Sequence, residues 1–353
     1  MNELSQLGWT SAQDAAWAEL NLQKYRPGRV IADYGTVYKV AMPAEVLAAA
    51  AGRLLHRAES SSDFPKVGDW VAVEDIEPGQ GIIQALMPRT SSVSRRRPGG
   101  KLEKQVMAAN VDIAFLVQAL DADFSPERLR RYLLQLSQEH ITPIVILNKS
   151  DLSDDIEQKS AQMTSLGVRV IVTSARENHN IAAVAAEVKP GQTAVFLGSS
   201  GVGKSTITNA LLGEQRQATK EVRALDSKGR HTTTHRELFQ LPGGGLLIDT
   251  PGIRELQLWG TEASLEQMFP DIIALELQCR YTNCSHGTEA GCAIQAAVTS
   301  GQLGSDRLQA YRKLQVELQE LAVEIEAVAA QNQKLIHKRA QRAPEETGRT
   351  KLV

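Results

Sequence analysis

A glycine-rich segment ending in lysine and serine offers the clearest chemistry in this chain. Residues 198–206 read GSSGVGKST and fit G-x-x-x-x-G-K-[ST], the pattern of a phosphate-binding loop. Glycine lets successive backbone N–H groups converge on phosphate oxygens, because no Cβ stands in the way. We predict that Lys204 contacts the β- and γ-phosphates and that the Ser205 hydroxyl binds Mg²⁺. The predicted phosphate-binding residues are Gly198, Ser199, Ser200, Gly201, Val202, Gly203, Lys204, Ser205 and Thr206.

The tetrapeptide NKSD follows the apolar run PIVIL and indicates which base is bound. The Asp151 carboxylate can accept hydrogen bonds from both N1–H and the exocyclic amine of guanine, a donor pair that adenine lacks. Lys149 can lay its aliphatic stem along the base, and Asn148 can brace the loop. At the end of the next apolar run, Thr173, Ser174 and Ala175 are placed to back the base with backbone N–H groups. Together with the phosphate loop, NKSD predicts a guanine nucleotide.

A DTPG segment after the apolar run GLLI fits D-x-x-G. In this pattern Asp249 would hold Mg²⁺ through water, and the Gly252 N–H would sense the γ-phosphate. The polar, hydroxyl-rich segment DSKGRHTTTH lies between the phosphate loop and DTPG and has the composition of a mobile switch. We predict that Thr233 closes over Mg²⁺ when GTP is bound, with Thr232 and Thr234 as the alternatives.

The residue after Gly252 is Ile253, whose side chain is unable to hydrogen-bond an attacking water. We therefore expect weak intrinsic GTP hydrolysis, with the water-orienting group supplied from elsewhere in the chain. His231 is the candidate, because histidine has the polarity and the pKa range for that work. A loop-stabilising role is the alternative for this histidine. The predicted catalytic set is Lys204, His231 and Thr233.

Apolar runs alternate with helical segments from Asn110 onward, which predicts a parallel sheet covered by helices on both faces. NKSD precedes the phosphate loop here, whereas an ordinary small GTPase has its guanine-recognition element after it. The motif order therefore predicts a GTPase domain that is circularly permuted. We assign residues 101–260 to this domain.

Cysteine and histidine cluster in one short segment. Cys279, Cys284, His286 and Cys292 supply three thiolates and one imidazole, and the chain has no further cysteine. This donor set fills the tetrahedral shell of a structural Zn²⁺ and leaves no open position for catalysis. Buried cysteines without a metal are the alternative interpretation.

Composition narrows the class of protein. The net charge of −2 argues against a uniformly basic nucleic-acid-binding protein, and three cysteines are too few for a disulfide framework. No run of about 18 apolar residues occurs, and the first residues lack an apolar export segment. We therefore expect a cytoplasmic protein that does not contact a membrane.

The N-terminal part of the chain has the sequence pattern of short β-strands. Residues 28–100 contain GRVIADY, TVYKVAM, AGRLLHR, GDWVAVE and GIIQALM, which we interpret as five strands of an OB-like barrel that binds RNA. Residues 1–27 form an extension with a short helix, and we expect Trp9 to dock within the chain, with a partner protein as the alternative. The segment RTSSVSRRRPGGK is expected to be an exposed loop. Its basic residues either belong to a solvated linker or contact phosphates: Arg95, Arg96, Arg97 and Lys101.

The C-terminal part has a helical texture. Apolar residues recur every three or four positions from Leu308 to Val328, which predicts one long helix in a zinc-binding domain of residues 261–335. We expect this helix to pack on the zinc module of a monomer, with an intermolecular coiled coil as the alternative. Residues 336–353 are basic and polar and are predicted to be a disordered tail.

The combination resembles the ribosome-small-subunit-dependent GTPase A family, RsgA, also called YjeQ. The resemblance rests on the barrel, on the permuted motifs GSSGVGKS, NKSD and DTPG, and on C-x4-C-x-H-x5-C, and it covers nearly the whole chain. It implies a bacterial-type cytoplasmic GTPase that binds the small ribosomal subunit and its 16S-type rRNA late in assembly. The subunit would stimulate GTP hydrolysis, and the protein would leave after hydrolysis.

Two other function classes compete with this expectation. A P-loop ATPase or kinase would share the phosphate loop, but NKSD argues against adenine. An RNA-binding scaffold that holds GTP with little turnover is the second competitor, and Ile253 is compatible with it.

Overall fold

The computed structural model describes residues 3–58, 60–96, 104–213, 236–249, 262–287 and 289–342. Within them the chain forms a closed barrel, a central α/β domain and a helical C-terminal domain, the multidomain architecture expected from the sequence. Among these residues no helix has both the length and the apolar character needed to span a bilayer.

The barrel closes through a ring of strand pairs. Antiparallel pairs join β1 to β2, β2 to β3, β5 to β4 and β4 back to β1, and a parallel pair joins β3 to β5. Alternating side chains from these strands, such as Val30, Val40 and Val73, fill the interior. The predicted OB-like barrel is thereby confirmed. Its strands are β1 (Arg26–Asp33), β2 (Val37–Ala41), β3 (Val46–Ala50), β4 (Trp70–Glu77) and β5 (Gln80–Leu86).

One predicted barrel strand is wrong. The segment AGRLLHR forms helix α3 (Gly52–Arg57), and the third strand is β3 instead. The alanine-rich run before the helix pairs with β2 and β5, so its burial against two neighbours outweighs the weak strand propensity of alanine. The segment AGRLLHR has no β-branched residue, and leucine and arginine are good helix formers.

The N-terminal extension folds back onto the barrel, as expected for Trp9. Its helices are α1 (Glu3–Gln6) and α2 (Ser11–Glu19), and Thr10 caps the second in a capping box with Gln13. The Trp9 ring meets the buried Trp70 ring edge-on, with ring centroids 4.9 Å apart.

In the segment after the barrel that was expected to be an exposed loop, residues 91–94 are buried, and residues 97–101 lie outside the described part of the chain. Ser92–Arg96 forms strand β6, which pairs with β7 (Lys104–Ala109) in a hairpin. Arg89 turns inward and holds the fully buried Asp69 carboxylate with two hydrogen bonds of 2.8 Å. A buried carboxylate requires such a partner, which the one-dimensional charge pattern of this segment does not reveal.

The α/β domain contains the permuted sheet predicted from the motif order. Its strand order is β10-β9-β8-β11-β13-β12, and all of these strands are parallel except β12, which pairs antiparallel with β13. The central strands are buried on both faces, so Phe115 packs toward one layer of helices while Leu116 packs toward the other. The strands are β8 (Ile113–Ala119), β9 (Thr142–Asn148), β10 (Arg169–Val172), β11 (Thr193–Leu197), β12 (Arg236–Gln240) and β13 (Leu246–Asp249).

Helices cover both faces of this sheet. They are α4 (Pro126–Leu136), α5 (Ile156–Thr164), α6 (Ile181–Ala186) and α7 (Lys204–Leu212). In α4, Leu129 and Tyr132 face the sheet, and Leu133 packs at the edge of the same cluster. Leu134 is also fully buried, but it belongs to the core of the C-terminal domain. Helix α4 is therefore shared between two hydrophobic cores.

Backbone pairing and one buried cation join the barrel to the α/β domain. Strand β1 pairs with β12, with Asp33 opposite Arg236. The Arg29 guanidinium is almost completely buried and donates to the carbonyl oxygens of Gly68 and Asn110, at 3.1 and 3.0 Å, and to that of Leu7. These carbonyls come from the barrel, the entry to the α/β domain and the N-terminal extension. Arg29 therefore ties three parts of the chain together.

Among its described residues, the C-terminal domain packs four helices around the expected cysteine and histidine segment. They are Glu262–Met268, Pro270–Glu276, Ala293–Thr299 and a terminal helix, Ser305–Arg342. Leu308, Tyr311, Leu314 and Leu318 of the terminal helix are buried in the core of this domain. The terminal helix runs past the predicted boundary at residue 335, so residues 336–342 are helical and not part of a disordered tail.

Candidate nucleotide-binding site and metal centre

The predicted nucleotide motifs meet at one edge of the sheet. Strands β8, β9, β10, β11 and β13 are parallel, so their carboxyl ends lie on the same side. NKSD begins at the last residue of β9, Ser174 follows β10, the phosphate loop follows β11, and Asp249 ends β13. Segments that are far apart in the chain therefore surround one crevice.

Three glycines give the phosphate loop its shape. Gly198, Gly201 and Gly203 have φ angles of 146°, 87° and 102°, a region that side chains disfavour. A Cβ on Gly198 would lie 2.2 Å from the Val117 oxygen, and one on Gly203 would lie 2.2 Å from Asn148 Nδ2. Helix α7 begins at Lys204 without a side-chain cap, so its first N–H groups are available to an anion.

The Lys204 ammonium lies inside the loop. Its Nζ donates to the carbonyl oxygens of Gly198 and Ser199, at 2.6 and 2.7 Å. Burial lowers the pKa of Lys204 to about 8, and the negative charges of Asp249 and Asp123 only partly oppose that shift. A bound phosphate would restore the stability of the charged ammonium.

The other residues of the loop differ in exposure. Val202 is buried in the sheet core and anchors the loop, and Ser200 is exposed. The Ser199 hydroxyl is buried, with no hydrogen-bond partner within the described part of the chain. Ser205 and Thr206 lie half-buried in the first turn of α7, where the predicted phosphate and Mg²⁺ contacts require them.

Asn148, the first residue of NKSD, forms hydrogen bonds to the phosphate loop and to the segment that follows β10. Its Nδ2 donates to the Val202 oxygen at 2.8 Å. Its Oδ1 accepts from the Ala175 N–H at 3.0 Å and from the Thr173 hydroxyl at 3.2 Å. Because Asn148 is buried, these bonds replace water contacts at both ends of its amide. The Ala175 N–H, expected to face the base, is thus committed to Asn148.

The two side chains predicted to contact guanine each have a partner. Ser174 Oγ donates to Asp151 Oδ1 at 2.6 Å, and Lys149 Nζ contacts Asp121 Oδ2 at 2.8 Å. Burial alone would raise the pKa of Asp121, but the hydrogen bonds from Lys149 and the Asp123 N–H, together with the charge of Lys149, outweigh burial and lower the pKa. Sequence reasoning missed Asp121, whose signal was a polar residue just beyond the end of a buried strand. It assigned Thr173 to the base, and did not foresee the hydrogen bond from the Thr173 hydroxyl to Asn148.

Several predicted site residues lie outside the described part of the chain. They are His231, Thr233 with its alternatives Thr232 and Thr234, Gly252 and Ile253. Asp249 is described, and its charge acts on Lys204 across the crevice.

The predicted metal ligands come together in the C-terminal domain. The ligand atoms of Cys279, Cys284, His286 and Cys292 all lie within 4.8 Å of one another. His286 Nδ1 is 3.5 Å from Cys279 Sγ and 3.8 Å from Cys292 Sγ. Three sulfurs and one imidazole nitrogen this close fit the tetrahedral shell of Zn²⁺.

The other nitrogen of the His286 ring faces Glu276, which a tyrosine of the terminal helix also contacts. Its Nε2 lies 3.4 Å from Glu276 Oε1, and the Tyr311 hydroxyl donates to the same oxygen at 2.8 Å. A carboxylate behind a histidine ligand fixes its tautomer and leaves Nδ1 for the metal. Sequence reasoning missed Glu276, which follows no ligand-spacing pattern.

Comparisons with known proteins identify the family. The model of the RsgA GTPase family matches residues 86–259. The small ribosomal subunit biogenesis GTPase RsgA of Opitutus terrae is 42% identical to this chain, and the alignment covers 93% of each protein. The protein of that name from Syntrophotalea carbinolica is 40% identical, covering 94% of each.

The chain belongs to the RsgA GTPase family. RsgA GTPases are hydrolases that act on GTP, so the guanine-nucleotide chemistry expected from NKSD and the phosphate loop is confirmed at that level.

Solved structures support the RsgA-type fold. YjeQ from Thermotoga maritima superposes with a TM-score of 0.61 at 24% identity, covering 83% of this chain and 98% of that one. YloQ, described as a circularly permuted GTPase, superposes with a TM-score of 0.60 at 25% identity, covering 84% and 96%. The permuted order expected from the motifs is therefore confirmed.

Proposed function

We propose that this chain hydrolyses GTP on the small ribosomal subunit during its biogenesis, in contact with 16S-type rRNA, and that the subunit stimulates hydrolysis. The observation that carries this proposal is the convergence of NKSD, the phosphate loop and Asp249 at one sheet edge, between the barrel and the Cys3His cluster. The names of the relatives, small ribosomal subunit biogenesis GTPase, support the choice of partner.

The proposed chemistry assigns a task to each residue at the sheet edge. Asp151 reads the guanine edge, Lys149 supports its face, and the loop amides with Lys204 hold the phosphates. Ser205, Thr233 and, through water, Asp249 would hold Mg²⁺. The ion would neutralise charge on the β- and γ-phosphates. We assign orientation of the attacking water to His231, because Ile253 has no polar group to do so.

The Cys3His cluster is proposed to hold one structural Zn²⁺. Its four donors complete a tetrahedral shell, so a substrate has no free position on the metal. We infer that zinc shapes the C-terminal domain and takes no part in hydrolysis.

The barrel and the β6–β7 hairpin are the proposed RNA-binding surface of a cytoplasmic monomer. Arg95 and Arg96 lie on β6, at the junction of barrel and α/β domain, where a phosphate backbone would neutralise them. Replacing both with glutamine should weaken subunit binding and lower the slope of log affinity against log salt by about 2. An unchanged slope would remove these arginines from the interface.

The decisive experiment measures GTP turnover by the full-length protein with and without purified small subunits. The proposal expects slow turnover alone and a large increase when subunits are added. GTP binding without any stimulation would favour the RNA-binding scaffold instead. Competition with ATP tests the remaining alternative, since a P-loop ATPase would lose bound GTP to ATP.

Two substitutions test the assigned residues separately. Asp151→Asn should weaken GTP binding and favour xanthine nucleotides, because the amide donates where the carboxylate accepted. Unchanged GTP affinity would take Asp151 out of the guanine contact. His231→Ala should slow turnover with GTP binding intact, and intact turnover would reject His231 as the water-orienting group.

A further inference from the structure

An ion pair crosses the mouth of the nucleotide crevice between two neighbouring strand ends. Strands β8 and β9 pair in parallel, with Ala119 opposite Asn148. Asp121 follows β8 by two residues, and Lys149 follows β9 directly. Lys149 Nζ lies 2.8 Å from Asp121 Oδ2. The lysine stem therefore runs from the end of one strand toward the end of the next.

Both ends of this bridge are held in place. The Lys149 backbone adopts a left-handed conformation, with φ of 64°, directly after the buried Asn148. The Asp121 backbone follows Leu120, whose N–H donates to the Asn148 oxygen at 2.9 Å. Asp121 Oδ1 accepts from the Asp123 N–H at 2.9 Å, so only its other oxygen faces Lys149.

The loop that carries Asp121 is in turn anchored to helix α4. Arg128 in the first turn of α4 donates to Asp123 Oδ2 at 2.9 Å and to the Asp123 backbone oxygen at 3.2 Å. Asp123 is also close enough to Lys204 for its charge to favour the Lys204 ammonium. The loop that contacts the lysine of NKSD therefore also carries a charge that acts on the lysine of the phosphate loop.

The two side chains of the bridge are partly exposed, with 28% of the Lys149 side chain and 34% of the Asp121 side chain accessible. A lysine stem that is held by its ammonium offers its methylene groups as an apolar surface. A free lysine would have to lose several rotamers before a base could pack on it. The ion pair removes that freedom before the nucleotide arrives.

We propose that Asp121 is a positioning residue for guanine-nucleotide binding, which holds the Lys149 stem across the crevice so that the purine face packs against it. Ser174 has the matching task at the base edge, because its hydroxyl fixes one oxygen of Asp151. Asp121 itself contacts Lys149 and not the nucleotide. This inference rests on the proposed binding of GTP and GDP by the same crevice.

The test compares GDP with pyrophosphate as probes of the full-length protein. Asp121→Asn should lower GDP affinity about tenfold, because the lysine must be ordered during binding. Pyrophosphate, added as a competitor for the phosphate loop, should bind the variant as it binds the wild type. Asp121→Ala provides a second variant with the same expectation. The matched control is Asp155→Asn, which breaks the partly exposed 2.8 Å pair with Lys159 and should leave both affinities unchanged.

A double-mutant cycle separates positioning from general damage. In a Lys149→Met background, Asp121→Asn should have no further effect on GDP affinity, because the group it positions is gone. Additive losses would overturn the inference, as would an equal loss of pyrophosphate affinity or unchanged GDP affinity in both Asp121 variants. A wild-type protein that failed to bind GDP would instead refute the proposed function.

Discussion

Arg131 on helix α4 and Glu317 on the terminal helix form a two-pronged ion pair. Arg131 Nε donates to Glu317 Oε2 at 3.0 Å, and Nη2 donates to Oε1 at 2.7 Å. Two parallel bonds fix direction as well as distance. Leu134, on the same helix, enters the core of the C-terminal domain. The C-terminal domain therefore packs on helix α4.

Reversing one charge of this pair should weaken the packing of the C-terminal domain on helix α4. We expect Arg131→Glu to lower the free energy of unfolding by about 1 kcal/mol, because the pair is only partly exposed and two negative charges would then face each other. The readout is faster hydrogen exchange in the terminal helix around Glu317. Glu317→Arg in the same chain should restore protection. Arg130→Glu, one residue away, is the control, and an equal effect there would contradict a specific pair.

Removing the Arg29 cation should be far more costly. Arg29→Met leaves the buried carbonyl oxygen of Asn110 without its donor and removes one of the two donors to the Gly68 oxygen, so we expect a loss of about 3 kcal/mol in the free energy of unfolding. Arg26→Met breaks only the exposed pair with Asp75 and should cost less than about 1 kcal/mol. Urea unfolding measures both. Similar losses in the two variants would show that burial of Arg29 does not decide its contribution.

Nucleotide binding should take up a proton in alkaline solution. Burial lowers the pKa of Lys204 from its ordinary 10.5 to about 8, so the free protein loses this proton as the pH rises through about 8. Phosphate charges favour the ammonium and raise the pKa again. GDP binding should therefore take up almost no proton at Lys204 at pH 7 and close to one proton at pH 9, and GDP affinity should fall between these values.

Calorimetric GDP titrations in buffers of different ionisation enthalpy measure that uptake. Lys204→Arg is the control, because a guanidinium stays charged across this range and should abolish the pH-dependent uptake. Uptake at pH 9 that persisted in the arginine variant would assign the proton to another group.

The carboxylate behind His286 should control zinc affinity. Glu276→Gln removes the negative charge that faces His286 Nε2, and we expect zinc affinity to fall by about 10- to 100-fold. Competition with a chromophoric chelator measures the affinity, and the absorption of a bound Co²⁺ reports whether the shell stays tetrahedral. Glu266→Gln, on an exposed position of the same domain, should leave both unchanged. Equal affinity in the Glu276 and Glu266 variants would reject the role of Glu276.

Sequence patterns predicted most elements of the α/β domain because its strands are apolar runs that end in motif residues. The run before the phosphate loop is β11, and NKSD begins where β9 ends. The barrel was harder, since the alanines of β3 have little strand propensity and are held by pairing on both sides. The burial of Arg89 and Asp69 was likewise invisible, because each residue alone has the character of a surface charge.

Local chemistry was determined by the sequence itself: glycines where φ is positive, a lysine and hydroxyls that follow them, the carboxylate of NKSD at the end of a strand, and three cysteines with one histidine close together in the chain. Tertiary structure alone decided which distant residues meet. Lys149 reaches Asp121 because β8 and β9 are neighbours in the sheet, and Arg131 reaches Glu317, 186 residues away, because two helices share one core. Spacing along the chain encodes a motif, whereas strand order and packing determine the partners of its side chains.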